Sequence, residues 1–237
     1  MMDSTDQLSS SLQAVRARIA SATQRAARAA HSVTLLAVSK TFGADAVREA
    51  VAAGQCAFGE NYIQEAVDKI AALSDLRAQL QWHCIGPIQS NKTRLVAEHF
   101  DWVQTVDRLK IAQRLSEQRP PALPPLQVCI QINVDGGPTK SGVPPEQVLA
   151  LAQAVQGLPR LRLRGLMCIP EPAPDIEAAR AVFARAKAVL DDLNRAGLKL
   201  DTMSMGMSAD LEAAIAAGST LVRVGSAIFG ARPARTE

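Results

Sequence analysis

The chain has 237 residues, enough for one large domain such as a single α/β barrel or for two small ones. Hydrophobic residues make up 48% and charged residues 21%, which excludes wholesale disorder. The 26 basic and 23 acidic residues nearly cancel to +3, and with aromatic residues at 3% there are few platforms for stacking bases, so a dedicated nucleic-acid surface is not expected.

The first residues, Met1 to Asp6, carry no cationic segment leading into an apolar run, and no later run approaches the roughly 20 apolar residues of a membrane span, so a cytoplasmic protein is expected. Ser4 or Thr5 can cap a helix in which Leu8, Leu12, Val15 and Ile19 recur at helical spacing, with Arg16, Arg18, Arg25 and Arg28 mostly off that stripe. Residues 1–30 therefore read as a packing helix added to whatever follows. Cys56, Cys84, Cys129 and Cys168 are far apart and lack the paired spacing of zinc or redox sites, so no metal and four buried free thiols are expected.

Val33 to Lys40 reads as a strand, and alternation places Thr34, Leu36, Val38 and Lys40 on one face. A lysine at the end of such a strand is either a solvated surface residue or an amine placed to form a Schiff base with a carbonyl cofactor. A helix from Ala44 to Ala53 stops at Gly54, a short strand follows at Cys56 to Phe58, and helical periodicity resumes from Tyr62 to Leu73. Gln81 to Ile85 is a third strand, Thr93 to Glu98 a helix, Trp102 to Val106 a fourth strand and Arg108 to Gln118 a helix. The prolines of Arg119 to Pro125 form a stiff surface connection.

Leu126 to Asn133 is a strong fifth strand, and Asp135 to Gly142 a polar, glycine-rich loop before a helix from Glu146 to Gln156. Leu161 to Met167 is the sixth strand. A long helix from Ile176 to Ala196 ends at Gly197, Leu200 to Met203 is the seventh strand, a helix from Ala209 to Ala217 ends at Gly218, and Thr220 to Val224 is the eighth. Eight strands, each followed by a helical stretch, predict a single (β/α)8 TIM-type barrel over 1–237, with the N-terminal helix as an addition.

A barrel places its active site at the C-terminal ends of its strands. The residues expected on that rim are polar: Lys40, Glu60 and Asn61, His83 to Gly86, Asn133, Ser204 to Ser208, and Gly225 with Ser226. The loops after strands seven and eight are where barrels commonly hold phosphate. Here Met205-Gly206-Met207-Ser208 offers a hydroxyl and exposed amides, although Ser208 could equally cap the following helix, and the amides of Gly225-Ser226 could point at an anion or merely make a turn. Arg223 lies inside the eighth strand and needs acceptors or a planar ring to stack on. A phosphorylated pyridine aldehyde would unite these groups, with Lys40 on the aldehyde carbon, Arg223 at the ring nitrogen and the two loops on the phosphate.

Leu36 to Lys40, Phe58 to Glu65, Trp82 to Lys92, Lys140-Ser141-Gly142, Gly165-Leu166-Met167, Met203 to Ser208 and Arg223 to Gly230 resemble, in order, motifs of the pyridoxal phosphate homeostasis proteins, which share their barrel with the N-terminal domain of alanine racemases. Cys84 and Ser226 depart slightly from that pattern. The resemblance implies pyridoxal 5′-phosphate as cofactor, carried by Lys40 as an internal aldimine, with Arg223 near the pyridine nitrogen and Ser208, Gly225 and Ser226 on the phosphate. Asn61 would line the ring pocket, Ser204 and Met205 would contact the cofactor from the adjoining loop, and His83 is either a further contact or a satisfied core residue.

A non-catalytic holder of the cofactor is expected, passing it to apo forms of PLP-dependent enzymes, with a monomer expected over an oligomer. A PLP-dependent racemase is the alternative, but the single tyrosine, Tyr62, and the lack of room for a further β-domain leave it short of a second base. Lys140, in its glycine-rich loop, is either a second contact for cofactor or phosphate or a solvated lysine.

Overall fold

The computed structural model describes residues 4–136 and 141–231, so Lys140 lies outside the described residues, as do the side chains of Ser4 and Thr5 expected at the first cap. Helix α1 (Ser4–Arg25) leads into β1 (Thr34–Val38), α2 (Ala44–Ala52), β2 (Ala57–Glu60), α3 (Ile63–Ala72), β3 (Gln81–Cys84), α4 (Thr93–His99), β4 (Trp102–Val106) and α5 (Leu109–Gln118). The second half runs β5 (Leu126–Gln131), α6 (Pro145–Gln156), β6 (Leu161–Met167), α7 (Ile176–Arg195), β7 (Thr202–Ser204), α8 (Leu211–Ala216), β8 (Leu221–Val224) and α9 (Ser226–Phe229). Each strand lies within two residues of the bounds that alternation predicts. Gly54, Gly197 and Gly218 stop α2, α7 and α8 at φ of +81°, +96° and +102°, the left-handed conformation that only glycine adopts without steric cost.

All eight strands pair in parallel, each with its chain neighbours, and β1 pairs with β8 to close the barrel, with Leu36 opposite Arg223. Leu36, Val38, Ala57, Ile85 and Leu221 form an apolar cluster inside the barrel. The larger apolar clusters lie between the strands and the surrounding helices. Leu8, Leu12, Val15 and Ile19 of α1 join that outer layer, each burial worth roughly 1.5–3 kcal/mol. The off-stripe arginines do more than solvate the helix. Arg16 donates to the carbonyls of Ala53 and Gly54 behind α2, and Arg28 to those of Ile215 and Ser219 at and behind the end of α8, tying the N-terminal segment to both helix ends.

Four expectations are corrected. Cys56 is exposed, while Cys84, Cys129 and Cys168 are buried free thiols. Ser208 does not cap α8, because that helix starts three residues later, at Leu211. Glu60 does not reach the rim: Gly59 faces the interior, against Leu36 and Ile85, so alternation turns Glu60 outward beneath α3. Arg119 is buried rather than on a surface connection, with its guanidinium on the carbonyls of Ala97, Phe100 and Pro124.

Candidate functional site

The site begins where β1 ends. Ser39 N–H continues the ladder to Gly59 O at 3.1 Å, and the chain then turns sharply, with Phe42 N–H returning to Ser39 O at 3.1 Å and Thr41 held at φ +70°. That conformation is rare for a β-branched residue and costs roughly 1–3 kcal/mol. Phe42 stacks on Phe229 of α9 at 5.1 Å, which fixes the far side of the turn. Lys40, half-buried at its apex, lines a cavity of about 300 Å³ at the C-terminal end of the barrel.

Asn61, Ser208, Arg223, Gly225 and Ser226 line the same cavity, so six of the nine residues expected at the site converge there. Val38, Phe42, Ile85, Ile169 and Met207 give it apolar walls. Asn61 Oδ1 is buried on this wall without a hydrogen-bond partner, an acceptor awaiting a donor from a ligand. Its main chain is fixed by close approach to Gly86, where a Cβ would lie 2.1 Å from Asn61 O. At Gly225 a Cβ would lie 3.2 Å from Val38 O, and Ser226 opens α9, whose first amides have no intrahelical acceptor.

The loop after β7 is held from behind. Met207 N–H donates to Asp210 Oδ1 at 2.6 Å, and Arg18 of α1 donates to Ser208 O at 3.0 Å while pairing with Glu212 at 3.0 Å. Sequence patterning assigned Arg18 no role, since nothing local marks a contact made 190 residues away.

Arg223 is 4% exposed, and burial lowers its pKa from the usual guanidinium value. Among the described residues no carboxylate forms an ion pair with it. Its Nη2 donates to Cys168 O at 2.9 Å and its Nη1 to Ser204 Oγ at 2.8 Å. Ser204 in turn donates to Gln104 Oε1 at 2.6 Å, and Gln104 Nε2 donates to His83 Nδ1 at 3.0 Å, placing the ring proton on Nε2. The His83 ring lies parallel to Trp102 at 5.0 Å, and burial lowers its pKa to about 3, so it is neutral. A donor chain thus runs from a cation on the cavity wall into the barrel.

Ser204 and His83 are therefore behind the cavity rather than on it. Met205 is buried in the outer apolar layer, its side chain directed away from the cavity. Gln104, which joins Ser204 to His83, was missed, although its position two residues after Trp102 on one strand face was a usable signal.

A larger cavity, about 1000 Å³, opens at the opposite end of the barrel beneath α1. Size does not make it the better candidate. Its Arg16 and Arg28 are already spent on helix-end carbonyls, and it brings together no amine, guanidinium and anion-binding loop. Among the described residues no group of three or more His, Cys, Asp or Glu side chains could hold a metal ion.

Residues 10–233 match the family model described as alanine racemase, N-terminal domain. The chain is 64% identical over 218 residues to the pyridoxal phosphate homeostasis protein of Pseudomonas aeruginosa, covering 92% of this chain and 93% of that one. It is 57% identical over 225 residues to the protein of the same name from Escherichia coli K12, with 92% and 94% covered. Among solved structures it is similar to PipY of Synechococcus elongatus PCC7942 with PLP bound, at a TM-score of 0.82 and 37% identity, covering 94% of this chain and all of that one.

Proposed function

The chain belongs to the pyridoxal phosphate homeostasis proteins, built on the alanine racemase N-terminal domain, and from that premise we propose that it holds pyridoxal 5′-phosphate in the cavity at the C-terminal end of its barrel. One observation carries the assignment of the site: Lys40, Arg223, Ser208 and Ser226 meet on the walls of a single cavity whose volume suits a small ring. Bound there, the cofactor supplies an aldehyde to which the Lys40 amine attaches reversibly.

The remaining roles follow from each group's chemistry. Arg223 meets the ring nitrogen as a permanently charged donor and keeps that nitrogen unprotonated, which limits the ring as an electron sink. Ser208 and the amides of Gly225 and Ser226 hold the phosphate. Asn61 Oδ1, buried and unpartnered, accepts a hydrogen bond from the ring's substituents. Ser204 and His83 support the site through Arg223, and Met205 supports it through the fold.

The arrangement favours a holder of the cofactor over an amino-acid racemase. Racemisation requires a second base on the opposite face of the ring, and Tyr62, the only tyrosine, stands 45% exposed before α3 and does not line the cavity. Such a holder, working in the cytoplasm as a monomer, would deliver the cofactor to apo forms of PLP-dependent enzymes. Among the described residues no helix is long and apolar enough to cross a membrane. The large exposed apolar side chains are few and are spread over several elements, Leu149 in α6 and Ile176 in α7 among them.

Titration with pyridoxal 5′-phosphate tests this reading. A visible absorbance band is expected, abolished by borohydride with the label fixed on Lys40. Lys40→Ala should lose both band and label, and a variant that keeps them would remove Lys40 from the site. Repeated racemisation of a single-enantiomer amino acid by the loaded protein would overturn the holder reading.

A further inference from the structure

Lys40 stands between two residues that are each gripped from outside the barrel wall. On one side, Ser39 Oγ donates to Glu60 Oε1 at 2.6 Å and Ser39 O accepts from Lys69 Nζ at 2.9 Å. On the other, Thr41 N–H donates to Glu65 Oε1 at 2.7 Å. Lys69 closes the group, at 2.6 Å from Glu60 and 3.3 Å from Glu65, one helical turn away on α3. The Lys69 and Glu60 side chains are 3% and 0% exposed, so this pair lies wholly under the helix.

Burying an ammonium and a carboxylate to fasten one helix is a costly solution, since apolar residues of the same volume would do as well or better. What apolar residues cannot do is bond a main-chain carbonyl and a main-chain N–H. These charged groups supply those bonds to the residues immediately before and after Lys40. The second of them, Thr41, is the one in the left-handed conformation, which needs such support to persist.

We propose that Lys69 and Glu65 are positioning residues for Lys40, setting the main chain on both sides of it so that its amine reaches the cavity at the angle that aldehyde attachment needs. The inference rests on the cofactor-holding reading above. It separates two parts of the ligand. The grip on Ser39 and Thr41 governs the aldehyde end, while the phosphate end is held by loops that Lys69 and Glu65 do not touch. A group that merely glued α3 to the barrel would weaken both ends together.

The test compares pyridoxal 5′-phosphate with pyridoxine 5′-phosphate, which carries an alcohol in place of the aldehyde. The unaltered protein should prefer the aldehyde, and Lys40→Ala should not. Glu65 is 34% exposed, so Glu65→Ala is expected to fold, and it should reduce the aldehyde preference about tenfold while leaving alcohol affinity within about twofold. Glu65→Gln keeps an oxygen for Thr41 N–H and should restore most of the preference. Lys69→Met, confirmed folded by circular dichroism, should shift it in the same direction as Glu65→Ala. If Glu65→Ala keeps the full preference, or loses affinity for both ligands equally, the inference falls and the cofactor reading stands. If the unaltered protein shows no preference, that reading fails and the inference with it.

Discussion

Arg223 donates through Nη1 to the hydroxyl of Ser204 at 2.8 Å, and this bond makes a serine inside the barrel the hinge between a wall of the site and the core behind it. Both Ser204 bonds are buried, since its hydroxyl also donates to Gln104. Ser204→Ala leaves Arg223 and Gln104 each one partner short, so it should lower unfolding free energy by about 1–3 kcal/mol. It should also weaken cofactor binding, because the guanidinium loses one of the two acceptors that set its direction. Denaturant unfolding of the cofactor-free protein and a cofactor titration check the two parts separately.

His83 makes stability depend on pH in a window that begins above that of ordinary carboxylates and extends through it. Its folded pKa, about 3 through burial, lies below the unfolded 6.5, so its contribution is complete above pH 6.5 and is lost as pH falls from there toward 3. The slope is about 1.4 kcal/mol per pH unit within that window. Glu60 acts in the opposite sense, because burial raises its pKa despite the Lys69 contact, and its cost grows as pH rises above 4.5. The wild-type profile above pH 4.5 therefore sums two opposing contributions, His83 favouring and Glu60 opposing stability as pH rises. His83→Gln removes the His83 contribution, so stability should rise less with pH between 4.5 and 6.5 than it does in the unaltered protein. Urea midpoints at half-unit pH steps would show it, and parallel profiles for the two proteins would contradict the assignment.

Arg18 reaches from α1 to Ser208 O and Glu212. The pair is partly exposed, with side chains 39% and 27% accessible, so its loss should cost at most about 1 kcal/mol of stability. The loop that presents Ser208 nevertheless loses its anchor. Arg18→Ala should leave the unfolding midpoint nearly unchanged and weaken binding of inorganic phosphate about threefold to tenfold, a shift of about a kcal/mol. Isothermal titration with phosphate measures it.

The barrel was legible because each strand carries its own period-two pattern and each helix its own stop, as at Gly54 and Gly218. Local patterning also placed Lys40, Asn61, Arg223 and Ser226 on one rim, because in a barrel the strand end decides the location. The misplacement of Glu60 arose from treating everything after Phe58 as rim, when alternation through Gly59 turns it outward. The grip of Lys69 on Ser39 spans 30 residues and that of Arg18 on Ser208 spans 190. On its own helix Lys69 reads as an ordinary partner for Glu65 at i+4, with no local sign that it reaches a carbonyl on another element.

The pairing of β1 with β8, reinforced by Arg28 on Ile215 and Ser219, also bears on how the protein is made. Val38 ends the first strand and Val224 the last, so the seam between them cannot form until nearly the whole barrel has been synthesised. At typical elongation rates the first strand waits roughly 10 to 40 s for its final neighbour, with an unpaired edge throughout. Slow synthesis, or a ribosome stalled before β8, would leave that edge as the segment most open to chaperone capture or to pairing with another nascent chain.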